Sequence, residues 1–211
     1  DFAGAAWQAY GASVAFNLSV GDGEKTVYIK VRNVSGESVV VSDTIVLDTS
    51  APTVANVTSA TADGTHGFGA AIDVTITFSE VVTFTGAPEL ALETGAVDAV
   101  APCIGGNGSA DLAFQFSVAA GYATADLDCR DAAALALNGG TLRDAAGNSA
   151  VLTLPVGAAT GSLASNSAIA IDTTYAVSYL AGAGGTLEGD TTQTVVHGQD
   201  AASVVALADT G

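Results

Sequence analysis

Apolar and polar residues alternate along most of this chain with a period of two. Residues 25–31 (KTVYIKV), 72–78 (IDVTITF) and 112–118 (LAFQFSV) give the clearest cases. Such alternation sets one face of an extended strand against a core and the other toward solvent. Residues 39–47 (VVVSDTIVL), 90–92, 168–171 and 195–196 read the same way. Between these runs lie turn clusters rich in Gly, Asp and Asn, at 21–23, 35–36, 63–64, 105–108, 138–140, 147–148 and 184–185. Only residues 132–137 leave room for a short helical turn, and no true helix is expected there. The pattern predicts an all-β fold of small β-sandwiches joined in series.

An internal echo marks the joints. Residues 45–54 read IVLDTSAPTV and residues 170–177 read AIDTTYAV. Each is an apolar strand ending in an Asp-Thr pair, led by Asp48 in one copy and Asp172 in the other. Pro52 lacks a ladder donor and stiffens the entry into the next unit. Repetition of this kind is the mark of an array of units.

The text between the joints carries a specific resemblance. Residues 53–95 (TVANVTSATADGTHGFGAAIDVTITFSEVVTFTGAPELALETG), then LALNGGTLRDAAGN and AIAIDTT, occur in the order found in bacterial immunoglobulin-like repeats of very large surface adhesins. Residues 52–173 resemble one complete repeat of that family. Residues 1–51 resemble the C-terminal half of another such module, through WQAY, LSVGDGEKTVYIKVRN and DTIVLDTSAP, with residues 33–37 (NVSGE) in place of the usual D-x-A-G-N turn. Residues 174–211 are similar to the opening of a short bacterial β-repeat found near the ends of such proteins. Asp1 and Gly211 fall inside these patterns, so the segment is expected to belong to a longer chain. A half-module would leave Trp7, Tyr10, Phe16, Val27, Ile29 and Ile45 on an uncovered face with open strand edges, to be completed by further sequence or by a neighbouring chain.

Composition narrows the function. The chain is 49% hydrophobic and 13% charged, which suits a folded core, and its 6% aromatic content implies a thin one. Five Lys and Arg face 22 Asp and Glu, a formal charge of −17. Five dispersed cations cannot replace phosphate counterions, which excludes nucleic acid as a main partner, and the same repulsion disfavours anionic membranes. No apolar stretch is long enough for a membrane span. An acidic, lysine-poor chain instead suits an extracellular setting and divalent cations.

Three segments are expected to meet at one pole of the complete module: the linker with Asp48, the second strand ending near Glu80, and a late hairpin with Asp144 and Asn148. Hard oxygen ligands from three segments suit Ca²⁺, and the resemblance to inter-module sites of adhesins supports the same reading. By the same logic Asp172 would serve the next joint. Two plainer readings stand beside this one. Asp144 and Asn148 suffice to form the turn through side-chain bonds to backbone, and Arg143 is close enough in sequence to neutralise Asp144 or Glu80. Cys103 and Cys129 lack metal or redox spacing and are expected to form a structural disulfide, a closure worth about 3.5 kcal/mol.

Catalysis finds no set of residues. The glycines around residues 63–69 lack a phosphate-loop pattern, and His66 and His197 have no second ligand at zinc spacing. Glu89 and Glu93 lie four apart on a strand, about 13 Å, too far for a retaining glycosidase pair. The expected function is that of a non-enzymatic spacer or stalk in an extracellular bacterial adhesin or surface fibre. The alternatives are a subunit of a filament or surface layer completed by inter-chain strand addition, and a carbohydrate-binding accessory module of a secreted enzyme, using Trp7, Tyr10, Phe68, Phe84 or Tyr122. Expected partners are neighbouring modules or identical chains, with host or matrix glycans as further candidates.

Overall fold

The computed structural model describes residue 2, residues 6–9, residue 11 and residues 13–208. It is all-β, with a single helix of four residues among the described ones. Every named ladder closes within residues 23–47, 54–172 or 174–208.

The first stretch contains β1 (Gly23–Ile29), β2 (Arg32–Asn33), β3 (Gly36–Glu37) and β4 (Val41–Leu47). β1 pairs antiparallel with β4 from Gly23–Leu47 to Ile29–Val41, and β2 and β3 form a small hairpin in the connection. None of its described residues is buried. Phe16, Ile29 and Ile45 are each more than half exposed, Trp7 is exposed and Val27 is half-buried; Tyr10 lies outside the described residues.

The middle stretch opens with β5 (Val54–Thr58), β6 (Gly64–His66), the long β7 (Ala71–Phe84), β8 (Glu89–Glu93), β9 (Ala99–Gly105) and β10 (Ser109–Ser117). Short pieces come next: β11 (Ala123–Thr124), β12 (Asp128–Cys129), β13 (Leu135–Ala136), β14 (Leu142–Arg143), α1 (Leu163–Asn166) and β15 (Ile169–Asp172). One curled sheet runs β12-β8-β9-β10-β7-β14, with β5 also on β7 and β13 also on β8; a second runs β11-β15-β6. Alternation produces the core directly. On β7, Ile72, Val74, Ile76 and Phe78 are buried while the residues between them are not. Leu112, Phe114 and Phe116 do the same on β10, and Ile169 and Ile171 on β15. Burying a side chain of this size contributes roughly 1.5–3 kcal/mol. All the buried apolar residues of the core cluster lie between Val57 and Ile171.

The last stretch holds β16 (Thr174–Ser178), β17 (Gly185–Glu188), β18 (Thr192–Val196) and β19 (Val205–Ala208), paired as β16-β18 and β17-β19. None of its described residues is buried either. Among the described residues no helix is long and apolar enough to cross a membrane.

One expectation agrees with the structure and one is corrected. The one short helix among the described residues is α1; residues 132–137, where no true helix is expected, contain β13. Ser162 starts α1: its Oγ accepts the Ser165 N–H at 3.1 Å, an ordinary N-cap bond. The expected Cys103–Cys129 disulfide is absent, and both thiols are free. The register explains why. Cys129 and Ala99 flank Leu92 of β8 from opposite sides, and Cys103 lies four residues further along β9. Four residues of strand rise alone are about 13 Å, whereas bridged cysteines need Cα atoms within about 7 Å.

Burial pushes the Cys129 thiol up to about 12, helped by the neighbouring Asp128 carboxylate. A folded chain treated with iodoacetamide near neutral pH is therefore expected to label at half-buried Cys103 and not at Cys129, which reacts only after unfolding. An intact mass short of two hydrogens would contradict the free-thiol arrangement.

Candidate functional site: an acidic joint

The joint at residues 48–53 is held from both sides. Asp22, in the turn before β1, reaches across to the linker: its Oδ1 accepts the Thr49 N–H at 2.9 Å and the Thr49 hydroxyl at 2.7 Å, and its Oδ2 accepts the Ser50 hydroxyl at 2.7 Å. These bonds hold the Asp22 carboxyl below the usual aspartate range, the Ser50 hydroxyl contributing most. On the other side the Val151 N–H donates to the Pro52 carbonyl at 2.8 Å, and Thr53 exchanges bonds with Ser79. Buried Pro52 gives the linker one fixed entry into the middle stretch.

Glu80 reaches this joint through an irregularity in β7. Thr77 pairs with Asp111 and Val82 with Ser109, so β7 takes five steps where β10 takes two. The extra residues bulge at Ser79–Glu80–Val81 and bend the strand. Glu80 keeps the inward parity of Phe78 and Val82 and is half-buried. Asp144 starts the late turn: its Oδ1 accepts the Asn148 N–H at 2.8 Å, and Gly147, at φ +94°, completes the reversal.

One carboxylate oxygen from each of Asp48, Glu80 and Asp144 lies within 4.8 Å of the others. The three segments named from sequence therefore do converge. Asn148 has a part besides the expected oxygen ligand. Its amide nitrogen donates to Asp144 Oδ2 at 2.8 Å and to the Asp48 carbonyl at 3.2 Å, so it straps the linker to the turn. Both neighbours are acceptors, which fixes the amide orientation. Arg143 does not neutralise the cluster: its guanidinium reaches the Gly147 carbonyl, and the ion pairs among described residues lie elsewhere, at Lys30–Glu37, Arg130–Asp98 and Arg130–Asp131.

The cluster's electrostatics split its members. Burial, then the Asp48 and Asp144 charges, raise Glu80 above the usual glutamate range. Burial also pulls Asp144 upward, but bonds from the Asn148 side chain and from the Asn148, Gly147 and Ala146 N–H groups outweigh it and hold Asp144 low. A group with a raised folded pKa contributes stability below its unfolded value and loses it as pH rises through the folded one; for Asp144 the window is reversed. In metal-depleted solution, lowering the pH from about 7 to about 5 is expected to raise the melting temperature of the parent chain relative to Glu80→Gln. A parent melting temperature that falls relative to Glu80→Gln on acidification would contradict the raised Glu80 pKa.

The second joint is built differently. Asp172 Oδ1 accepts both the N–H and the hydroxyl of Thr174, at 2.8 and 2.7 Å, which lowers its pKa, the hydroxyl first. Among the described residues no second group of three acidic side chains forms, so Asp172 does not repeat the arrangement at Asp48. The aromatic candidates for sugar stacking have partners of their own. Arg32 lies 4.2 Å from the Trp7 ring centre, Phe68 stacks on His197, and Phe84 and Tyr122 pack against the core.

Sequence reasoning missed Asp22, which sits in a turn that reads as punctuation only. Its signal is the pairing of a turn aspartate with the hydroxyl-rich Thr49-Ser50. No protein-family model, curated protein or solved structure matches the chain.

Proposed function

We propose that this chain is a spacer segment of an extracellular bacterial adhesin or surface fibre, built from tandem immunoglobulin-like units and stiffened at its first joint by a divalent cation. The observation that carries the reading is the convergence of Asp48, Glu80 and Asp144 across a linker gripped by Asp22 and Asn148. A joint held on both sides transmits orientation from one unit to the next, which is what a spacer requires. Three carboxylates drawn together without a cationic side chain are a hard-oxygen donor set of the kind Ca²⁺ takes, with backbone carbonyls or water filling its six to eight positions. The role is mechanical.

A second reading is favoured by the first stretch alone. Among the described residues β1 and β4 pair only with each other, and Ile29 and Ile45 stand exposed on them. An open edge of this kind accepts a strand from another chain, which would make the protein a self-assembling subunit. Sedimentation velocity across a hundredfold concentration range separates the two. A spacer is expected to give one concentration-independent species of single-chain mass. Growth into larger species with concentration would overturn the spacer reading in favour of the filament.

A further inference from the structure

The second joint, which lacks the acidic cluster, carries an aromatic contact that the spacer reading does not use. Phe68 lies in the turn between β6 and β7. That turn is pinned to the core, with the Gly69 N–H donating to the Val118 carbonyl at 2.9 Å and the Ala70 N–H to the Gly67 carbonyl at 3.2 Å. Its ring is therefore presented from a fixed platform, yet remains 48% exposed. His197 comes directly after β18. Its ring stacks on Phe68 with centres 3.8 Å apart and planes 13° off parallel, and the Tyr175 ring of β16 lies 5.7 Å from it.

The main chain gives a second attachment. The His197 N–H donates to the Thr173 carbonyl at 2.8 Å and extends the β16–β18 ladder by one residue. Thr173 is almost fully buried; its hydroxyl accepts the Gly121 N–H at 3.0 Å and donates to the Tyr122 carbonyl at 3.1 Å. A ladder fixed at Thr173 alone is free to swivel about one strand exit. A second point of contact to one side of that exit removes the rotation.

We propose that the Phe68–His197 stack is an orientation latch that makes residues 174–208 tumble as one body with residues 54–172. It is independent of the spacer reading, because it rests on ring geometry and not on any property of the acidic joint. The latch concerns two rings, so its contribution is modest and local. An aromatic pair of this kind shifts a docked-to-undocked ratio by roughly two- to twelve-fold.

The test is backbone ¹⁵N relaxation on the full chain. In the parent, amides of both stretches are expected to report one rotational correlation time. In Phe68→Ala and in His197→Ala, the amides of residues 174–208 are expected to report a shorter one, while those of residues 54–172 keep their chemical shifts. His197→Phe, which preserves a flat ring, is expected to restore the common value. Phe68→Ala leaves β16 to β19 intact and so decides the matter even if His197→Ala unfolds them. Separate tumbling in the parent, or common tumbling in folded Phe68→Ala, overturns the latch.

Discussion

Phe114→Ala is expected to lower the unfolding free energy by about 3–5 kcal/mol, the loss typical of a fully buried phenylalanine. Phe114 has no exposure and sits in the middle of β10, opposite Val74 on β7 and Cys103 on β9. β7 is held to β10 by eight register pairs and β9 to β8 by four, so the two strands close only in part over the space the ring leaves. The surrounding core is thin, with Ala91, Ala99, Ala101 and Ala134 among its buried residues. A loss of that size is a large part of the ~5–15 kcal/mol available to a typical domain. Urea unfolding measures it, with Phe68→Ala as the exposed-ring comparison that should leave the midpoint of the middle stretch nearly unchanged. Equal losses for the two variants would show that Phe114 is not the centre of the core.

The second large effect concerns the acidic joint. Without a cation, folding buries Glu80 and brings the Asp48 and Asp144 carboxylates beside it, which raises the Glu80 pKa and opposes folding at neutral pH. A bound Ca²⁺ reverses the sign: the same crowding becomes attraction to one ion. Only the folded chain assembles the three segments, so the ion stabilises by mass action. With calcium at a hundred times its dissociation constant, the rise in melting temperature expected for a chain of this size is about 5–10 °C. Glu80→Gln keeps the shape, removes one charge, and is expected to lose most of that rise. Asp172→Asn, at the joint without a cluster, is expected to keep it.

The strands were legible wherever one face is buried and the other wet. Residues 72–78 and 112–118 show this through strict alternation, and β7 and β10 cover them almost entirely. β9 was harder to read because small Ala99 and Ala101 face the core while Val100, Pro102 and Ile104 face outward, inverting the usual size contrast. The convergence of Asp48, Glu80 and Asp144 was legible because each marks the end of an apolar run at a linker, strand or turn. The bulge that delivers Glu80 was not, since a register shift depends on how β10 pairs with β7 and leaves no local signature. The free cysteines teach the same point. Their spacing permits a loop closure, but strand register places Cys103 and Cys129 far apart along the sheet. The Phe68–His197 stack joins residues distant in the chain and had no local sign at all.

The most direct test of the calcium-stiffened joint is thermal unfolding of the full chain at neutral pH with millimolar Ca²⁺, and again with EGTA. A melting temperature higher by about 5–10 °C in calcium, abolished in Glu80→Gln, is the expected result. An identical melting temperature in the two solutions would contradict it, leaving Asp144 and Asn148 as turn formers and the three carboxylates as solvated charge.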